Sequence, residues 1–534
     1  MTNASRTVPW WHGAFIYQVY VRSWRDSDGD GYGDLPGVID GLDYLEWLGA
    51  DAVWLSPTMP SPDDDWGYDV SDYLGVHPGL GTLDDLDRLV REAGTRGMRV
   101  LLDLVPNHTS SAHAWFVDAR GSRTSRHRDF YVWADPAPGG GPPNNWLDHT
   151  GEPAWTFDEP TRQYYLHNFL PSQPDLNWWN PSVHEAFEGI LRFWLDRGIA
   201  GFRIDVAHGL YKDAELRDDP PADPADPRGR NGLLPAYSAN RPEVHGVYRD
   251  WRRIAEAYSP PAVLLGETWV REVSELAAFY GDDDELQLAF NFPFVFADFR
   301  ADAMRSVVAR TFASLRPGAC PVWTASNHDI SRFATRWCGG DERRIRLALG
   351  VLATLPGAMV LYYGDEIGMP DVDVPPALQR DPMTMNGRAG GPCRDRSRTP
   401  MQWSGGPTGG FAPEGVPTWL PLGDAAAANV ADERVDPSSV ISWTRALLGV
   451  RRLYLSGSVA SYEELPGGDD QWVYRAGPLV VRANFSEERV QVAGVGQVLL
   501  RSSAEPVGAG VATAANGGNL ELAPWECVVA AESP

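Results

Sequence analysis

RVLLDLVPNH, residues 99–108, is an apolar run that ends abruptly in a polar tail. Its first six residues do not alternate between apolar and polar, the pattern of a strand buried on both faces and therefore of a parallel sheet. Runs of the same kind recur along the chain: Ile16–Val21 (IYQVYV), Ala52–Leu55, Gly201–Val206 (GFRIDV), Ala262–Glu267 (AVLLGE), Leu286–Phe290, Val322–Ser326 and Met359–Tyr362. Helical patterns lie between many of them, as at Leu83–Arg96 and Val183–Arg197. Eight such strands with intervening helices predict an α/β fold, a (β/α)8 TIM barrel. A doubly wound open sheet is the competing arrangement, and the strand count favours the barrel.

Two departures from even spacing divide the chain. The stretch between the third and fourth strands is far longer than one helix and two loops need. It is rich in Pro, Gly, Trp and Asn (PAPGGGPPNNW, QPDLNWWNP) and reads as a small inserted domain, residues 108–175. A second long segment, Gly364–Gly405, follows the eighth strand. After about residue 456 the pattern becomes alternating strands without helices (QWVYRA, LVVRANF, RVQVAGV, ECVVAA), which predicts a C-terminal antiparallel β-domain over 456–534. The catalytic barrel is then 1–107 together with 176–455.

Composition bounds what such a chain does. Of 534 residues, 43% are hydrophobic and 22% charged, ordinary for a globular protein and too apolar for a disordered one. Asp and Glu outnumber Lys and Arg by 72 to 46, for a formal charge of −26. That surface repels phosphate backbones and argues against nucleic acid, while suiting a neutral or cationic partner or a bound metal ion. Four cysteines without CxxC spacing make no disulfide framework. No apolar run reaches the ~18–20 residues of a membrane span, and MTNASRTVPWWHGAF lacks a basic segment followed by an apolar core. A cytoplasmic setting, no membrane and no secretory leader are the expectations; the oligomeric state is open.

In barrels of this kind the active site lies at the C-terminal ends of the strands. The third strand ends in DLVPNH with His108, the fourth in Arg203 and Asp205, the fifth in Glu267 and the seventh in His328 and Asp329. Three carboxylates, two histidines and an arginine thus converge on one mouth. Paired carboxylates flanking one bond are what glycoside hydrolysis needs, one ionised and one protonated. Arg203 shares a strand face with Asp205 and is expected to keep it charged as a nucleophile. Glu267 follows an apolar run, and partial desolvation suits it to general acid work.

These residues, with QPDLN (173–177), GYD (67–69) and RTPMQW (398–403), resemble the α-amylase clan of glycoside hydrolases, and within it the α-glucosidase and oligo-1,6-glucosidase branch. The resemblance implies Asp205 as nucleophile, Glu267 as acid/base and Asp329 as the third acid that grips the sugar. It implies His108 and His328 as donors to glucose hydroxyls and Arg203 as the partner of Asp205. Asp65, Tyr68 and Arg398 would close the non-reducing end, making the enzyme exo-acting, and Phe169 and Gln173 would line the same subsite from the inserted domain. The implied mechanism is a double displacement with retention, the two carboxyls about 5–5.5 Å apart. It forms a covalent glucosyl-enzyme that releases glucose to water or passes it to another sugar. The substrates would be short malto- or isomalto-oligosaccharides.

DSDGDGYGD (residues 26–34) sets four carboxylates at positions 26, 28, 30 and 34 among glycines, a hard-oxygen set suited to Ca2+. It is not an EF-hand, because Gly37 stands where a bidentate Glu belongs. The resemblance implies a structural calcium held by Asp26, Asp28, Asp30, the Tyr32 carbonyl and Asp34, with Mg2+ as the lesser alternative. Val206, after the nucleophile, accompanies α-1,6 activity in the branch, although the sequence after it departs from the branch pattern. His208 reads as an aglycone contact or a helix-start residue, and Trp66 and Trp269 as stacking candidates at the mouth. Rival readings are a sugar isomerase or transglucosylase, such as trehalose synthase or sucrose isomerase, and a non-catalytic barrel used as a binding module. The second loses weight because the acid trio is intact.

Overall fold

The computed structural model describes residues 8–385, 393–492, 496–503 and 520–531. Eight parallel strands form the central sheet: β1 (Phe15–Val19), β2 (Ala52–Leu55), β3 (Arg99–Leu104), β4 (Gly201–Ile204), β5 (Val263–Gly266), β6 (Leu288–Ala289), β7 (Val322–Trp323) and β8 (Ala358–Tyr362). Each pairs with its neighbour in chain order, β8 returns to β1, and a parallel bridge from Phe290 to Val322 joins β6 to β7 and closes the barrel. Several strands are shorter than their apolar runs, because the last residues of each run leave the ladder to form the mouth.

Burial on both faces explains the continuous apolar pattern. Ile16, Ala52, Trp54, Leu101, Val263, Leu265, Leu288, Val322, Ala358 and Val360 fill the barrel interior as one cluster. The alternate residues, including Tyr17, Val53, Leu102, Phe202, Ile204 and Leu264, pack outward with the helices. Along each strand the inward stripe therefore begins apolar and becomes polar at the C-terminal end. Leu101 is followed by Asp103, Arg203 by Asp205, and Val263 and Leu265 by Glu267. The period of two that builds the plug also sets the chemistry above it.

Helices cover the barrel with the apolar faces that their spacing predicts. In Leu83–Thr95, Leu86, Leu89 and Ala93 are buried, and Thr82 with Asp85 makes a reciprocal capping box. Pro181–Asp196 starts from Asn180, whose side chain accepts from Ser182 N, and buries Val183, Phe187, Ile190, Leu191 and Trp194.

Between β3 and β4 lies a three-stranded antiparallel sheet (Trp133–Ala134, Gln163–Leu166, Trp155–Asp158) with its own core of Trp146, Ala154, Trp155 and Leu166. A second excursion, residues 206–243, follows β4 and was not singled out by composition or spacing. It docks on the inserted sheet, where Trp146 Nε1 donates to the Arg217 carbonyl and Asn145 exchanges hydrogen bonds with Asp219. Beyond the helix Val440–Tyr454, a five-stranded antiparallel sheet runs in the order 462–465, 471–476, 479–484, 527–531, 497–501. It packs on the helix Glu342–Thr354, Thr354 Oγ1 lying 2.6 Å from Tyr474 Oη. Of the RVQVAGV run, Val490–Val492 forms a strand, and residues 493–495 lie outside the described residues, as do residues 1–7 of the opening segment. Cys320, Cys338, Cys393 and Cys527 are free. Among the described residues no helix is long and apolar enough to cross a membrane.

Candidate active site

Arg203 organises the mouth. Its guanidinium is fully buried and meets Asp205 Oδ1 at 2.7 Å, Asp103 Oδ1 at 2.8 Å and Glu267 Oε1 at 2.6 Å. Asp205 and Glu267 thus face one another across the same guanidinium. One cation therefore serves three carboxylates. This corrects the expectation that Arg203 simply holds Asp205 ionised. Burial is the largest influence on Asp205 and drives its pKa well above the usual carboxylate range, with Arg203 opposing and Glu267 and Asp103 adding to the rise. Burial raises Glu267 as well, and pushes Asp103 up to about 7. With one guanidinium between them, the titration of Asp205 depends on the charge of Glu267.

Asp329 has the opposite character. Burial raises it, but His328 and the arginines 394 and 398 outweigh burial and hold it well below the usual range. Its Oδ1 accepts from Arg398 Nη2 at 2.7 Å and Arg394 Nη1 at 3.0 Å, and its Oδ2 lies 3.1 Å from His328 Nε2. Gln18 Nε2 donates to His328 Nδ1 at 2.8 Å, so the network assigns the ring proton to Nε2. Burial lowers His328 to about 4, which keeps it neutral.

A cavity of about 620 Å³ opens above these groups, lined by Asp65, Tyr68, His108 and Phe169 together with Asp205, Glu267 and Asp329. Gln173, His328 and Arg398, and Arg203 beside Asp205 as expected, are fully buried next to that lining. Gln173 Nε2 donates to Asp65 Oδ2 at 3.2 Å, and the Tyr68 hydroxyl lies 2.5 Å from His328 Nε2 while donating to Asp103 Oδ2 at 3.0 Å. His108 Nε2 meets the Tyr68 carbonyl at 3.0 Å, and its ring lies 5.1 Å from that of Phe169.

The arginine that faces Asp65 is Arg394. Its Nη2 donates to Asp65 Oδ1 at 2.8 Å and to Asp381 Oδ1 at 2.7 Å, and it lines the cavity. Arg398, named from the motif, stands one layer deeper, its Nε donating to the His328 carbonyl at 2.7 Å. RDRSR places arginines at 394, 396 and 398, and no spacing rule tells which of them reaches the cavity. Sequence reading also passed over His149, Arg230, Asn231 and Asp381, which come from the inserted sheet and the long loops. Trp269 lines the cavity as expected. Trp66 does not: its indole packs 5.1 Å from Trp419 and donates to the Arg380 carbonyl. His208 sits in a turn, not at a helix start, and lines the cavity.

Val206 has φ 46°, a left-handed conformation that is an outlier for a β-branched residue. Glu267 accounts for it: its Oε2 accepts Val206 N at 3.0 Å, and its carbonyl accepts Ala207 N at 3.0 Å. The turn carries the chain sharply away from Asp205, and the strain sits where function concentrates.

In the acidic loop, carboxylate oxygens of Asp26, Asp28 and Asp34 lie within 4.8 Å of one another. The Asp30 carboxylate is not one of that trio. Asp30 Oδ1 accepts Tyr32 N at 2.8 Å, and the Tyr32 ring lies 5.9 Å from that of Trp419. Asp34 Oδ1 also accepts Gly37 N, capping the helix Leu35–Asp40.

The family model described as the alpha amylase catalytic domain matches residues 18–456, and a model for a domain of unknown function matches 464–529. A probable alpha-glucosidase of Rhizobium meliloti is 39% identical over 459 residues, covering 83% of this chain and 82% of the relative. The oligo-1,6-glucosidase of Heyndrickxia coagulans is 35% identical over 526 residues, covering 90% and 93%. Among solved structures, an alpha-glucosyl transfer enzyme superposes with a TM-score of 0.90 at 36% identity, covering 98% of this chain and 100% of the other. The trehalulose synthase of Pseudomonas mesoacidophila superposes with a TM-score of 0.88 at 31% identity, covering 98% and 99%.

Proposed function

We propose, from the premise that this chain belongs to the α-amylase family of glycoside hydrolases, that it is an exo-acting, retaining α-glucosidase. It would remove glucose from the non-reducing ends of short malto- or isomalto-oligosaccharides. The observation that carries this reading is the cavity itself. Asp205 and Glu267 meet on one guanidinium at its floor, and Arg394 ion-pairs Asp65, Asp329 and Asp381 across one wall. An endo-acting groove needs both ends open, and here ion pairs occupy one of them.

The chemistry follows from the charge states. Asp205 attacks the anomeric carbon while Glu267 gives its proton to the leaving oxygen. Two carboxyls drawn to one guanidinium suit the close spacing of a retaining pair, about 5–5.5 Å, better than the 6.5–9.5 Å or so that an inverting pair needs to hold a water between them. Asp329, kept ionised, accepts hydroxyl protons of the bound glucose, and His328 and Arg398 hold it in position from behind. Water or a second sugar entering beside Glu267 then releases the glucosyl ester. Transfer to a sugar is the second reading, favoured by the likeness to a solved glucosyl transfer enzyme. Val206 after the nucleophile leans the linkage towards α-1,6.

Asp26, Asp28 and Asp34, hard oxygen donors already gathered, fit a structural Ca2+, with Mg2+ the alternative. The ion would supply charge balance to the loop, away from the chemistry. Asp30 and the Tyr32 carbonyl would complete the set on rotation of the Asp30 side chain. Four free cysteines suit a reducing compartment such as the cytoplasm.

Incubation with maltose, isomaltose, sucrose and trehalose, followed by NMR of the product anomer, tests the activity. Free glucose appearing first as the α-anomer is expected, and Asp205→Asn should lose at least about 10⁴-fold in kcat while unfolding at the parent temperature. An isomerised disaccharide without free glucose, or β-glucose as the first product, would refute it.

A further inference from the structure

Beyond Trp269 the glucose cavity opens into a second one of about 390 Å³, and the two share Val206, His208, Arg230 and Trp269 as walls. The position beside Glu267 makes this outer cavity the place where the leaving part of a substrate, or an incoming acceptor, must sit. Its charges are unevenly matched. In the inner cavity each carboxylate has a guanidinium close by: Arg203 for Asp205 and Glu267, and Arg394 for Asp65, Asp329 and Asp381. In the outer cavity the acids are also committed. Asp219 accepts from Tyr237 N at 2.7 Å and Ser238 Oγ at 2.5 Å, and Glu275 faces Arg228 at 3.7 Å.

Two cations are left over. Arg230 and Arg271 both line the outer cavity, and neither forms an ion pair among the described residues. Arg230 Nη2 is buried without a hydrogen-bond partner. His149 and His208, which line the inner cavity with Arg230, are both neutral through burial, and Asp148 partly offsets the effect of burial on Arg230. Arg271 lies 4.1 Å from the centre of the Phe296 ring. Guanidinium groups pair with oxyanions in two-pronged geometry, and a buried one without a partner is costly to keep. In a chain of net charge −26, acidic partners were abundant.

We propose that the outer cavity receives an oxyanion: the aglycone or acceptor carries a phosphate or carboxylate group, bound by Arg230 and Arg271. This rests on the α-glucosidase reading and narrows its substrate class. It also departs from the neutral or cationic partner that net charge alone suggests, because two local cations outweigh a distant, screened field.

The test compares kcat/KM within pairs that differ in aglycone charge: maltobionate against maltitol, and maltose phosphorylated on the reducing-end 6-hydroxyl against maltose. A preference of about tenfold or more for at least one charged member is expected, as one charge-assisted hydrogen bond provides. The preferred pair identifies carboxylate or phosphate. Arg230→Gln and Arg271→Gln should each move the ratio towards one, and added salt should do the same to the parent. Calorimetric binding of gluconate and glucose 6-phosphate, which needs no turnover, should weaken in the same variants. Hydrolysis of both neutral members without a preference for either charged one overturns this inference and leaves the glucosidase reading standing. A preference untouched in both variants overturns it equally. Failure to cleave any of the four sinks the glucosidase reading, and the binding measurement then decides whether the arginines hold an oxyanion.

Discussion

Replacing Arg394 with alanine removes the cation that Asp65, Asp329 and Asp381 share, at 2.8, 3.0 and 2.7 Å. Asp329 keeps Arg398 at 2.7 Å, so the loss falls on Asp65 and Asp381. Asp65 is 4% exposed and already raised by burial, with Arg394 the strongest influence opposing that rise. Without Arg394 that opposition is lost, the Asp65 carboxyl is raised further, and the ion-paired wall opens. Breaking one partner out of a buried ion pair costs about 3–5 kcal/mol. If most of the lower figure appears in transition-state binding, kcat/KM for maltose falls by about 100-fold. Asp65→Asn should cost a similar amount, and the double variant little more than either, because both remove the same interaction. A maltoheptaoside blocked at its non-reducing end should resist the parent and become a substrate for Arg394→Ala. Additive losses, or a near-parental Arg394→Ala beside a dead Arg398→Ala, would return the gate to Arg398 and refute this account of the wall.

Chelation should lower the melting temperature of the parent by a few degrees and leave Asp26→Ala unmoved. The variant should already be less stable, because Asp26 also accepts Gly29 N and Gly31 N; a parent insensitive to chelator removes the metal. The kcat/KM profile against pH should be bell-shaped. Falling pH protonates Asp205 and rising pH strips Glu267, so activity declines on both sides of the pair's raised titration range. Asp103→Asn should move the acid limb to lower pH, because one carboxylate fewer then draws on Arg203. An unmoved or upward-shifted limb would contradict the shared-cation picture.

The barrel was legible because burial on both faces leaves a local mark. RVLLDL and AVLLG carry apolar residues on both strand faces, and such strands occur in few architectures. The meeting of Asp205, Glu267 and Asp329 at one cavity was legible for a related reason, since Asp205 and Glu267 continue inward stripes whose direction is set by a period of two. What escaped is non-local. Arg394 and Arg398 differ only in how the segment that carries the short 3-10 helix Arg394–Ser397 folds back over the mouth. His149, Arg230 and Asn231 reach the cavity from segments whose packing on one another, as between Asn145 and Asp219, leaves no periodic signal. The assignment of Trp66 failed because nearness in sequence to Tyr68 does not give direction. At Trp66 φ is 51°, and the backbone turns the indole towards Trp419.

Arg203 is where sequence reasoning was right about contact and incomplete about consequence. Alternation along β4 brings Asp205 to Arg203, and that pair alone would keep Asp205 ionised. Asp103 and Glu267 arrive from the neighbouring strands β3 and β5, so the same guanidinium meets three carboxylates at 2.6–2.8 Å. Three negative charges about one positive charge, in a site where burial dominates, favour retention of a proton within the cluster. A retaining glycosidase requires that state at rest, one acid ionised to attack and its neighbour protonated to donate. The proton-holding capacity is thus a property of the closed barrel, since strands on either side of β4 must both deliver an acid to a cation that β4 supplies. Asp329, with His328 and two arginines to itself, lies outside that sharing and stays charged. The division between a proton-holding pair and a permanently ionised third acid follows from how many cations each can reach.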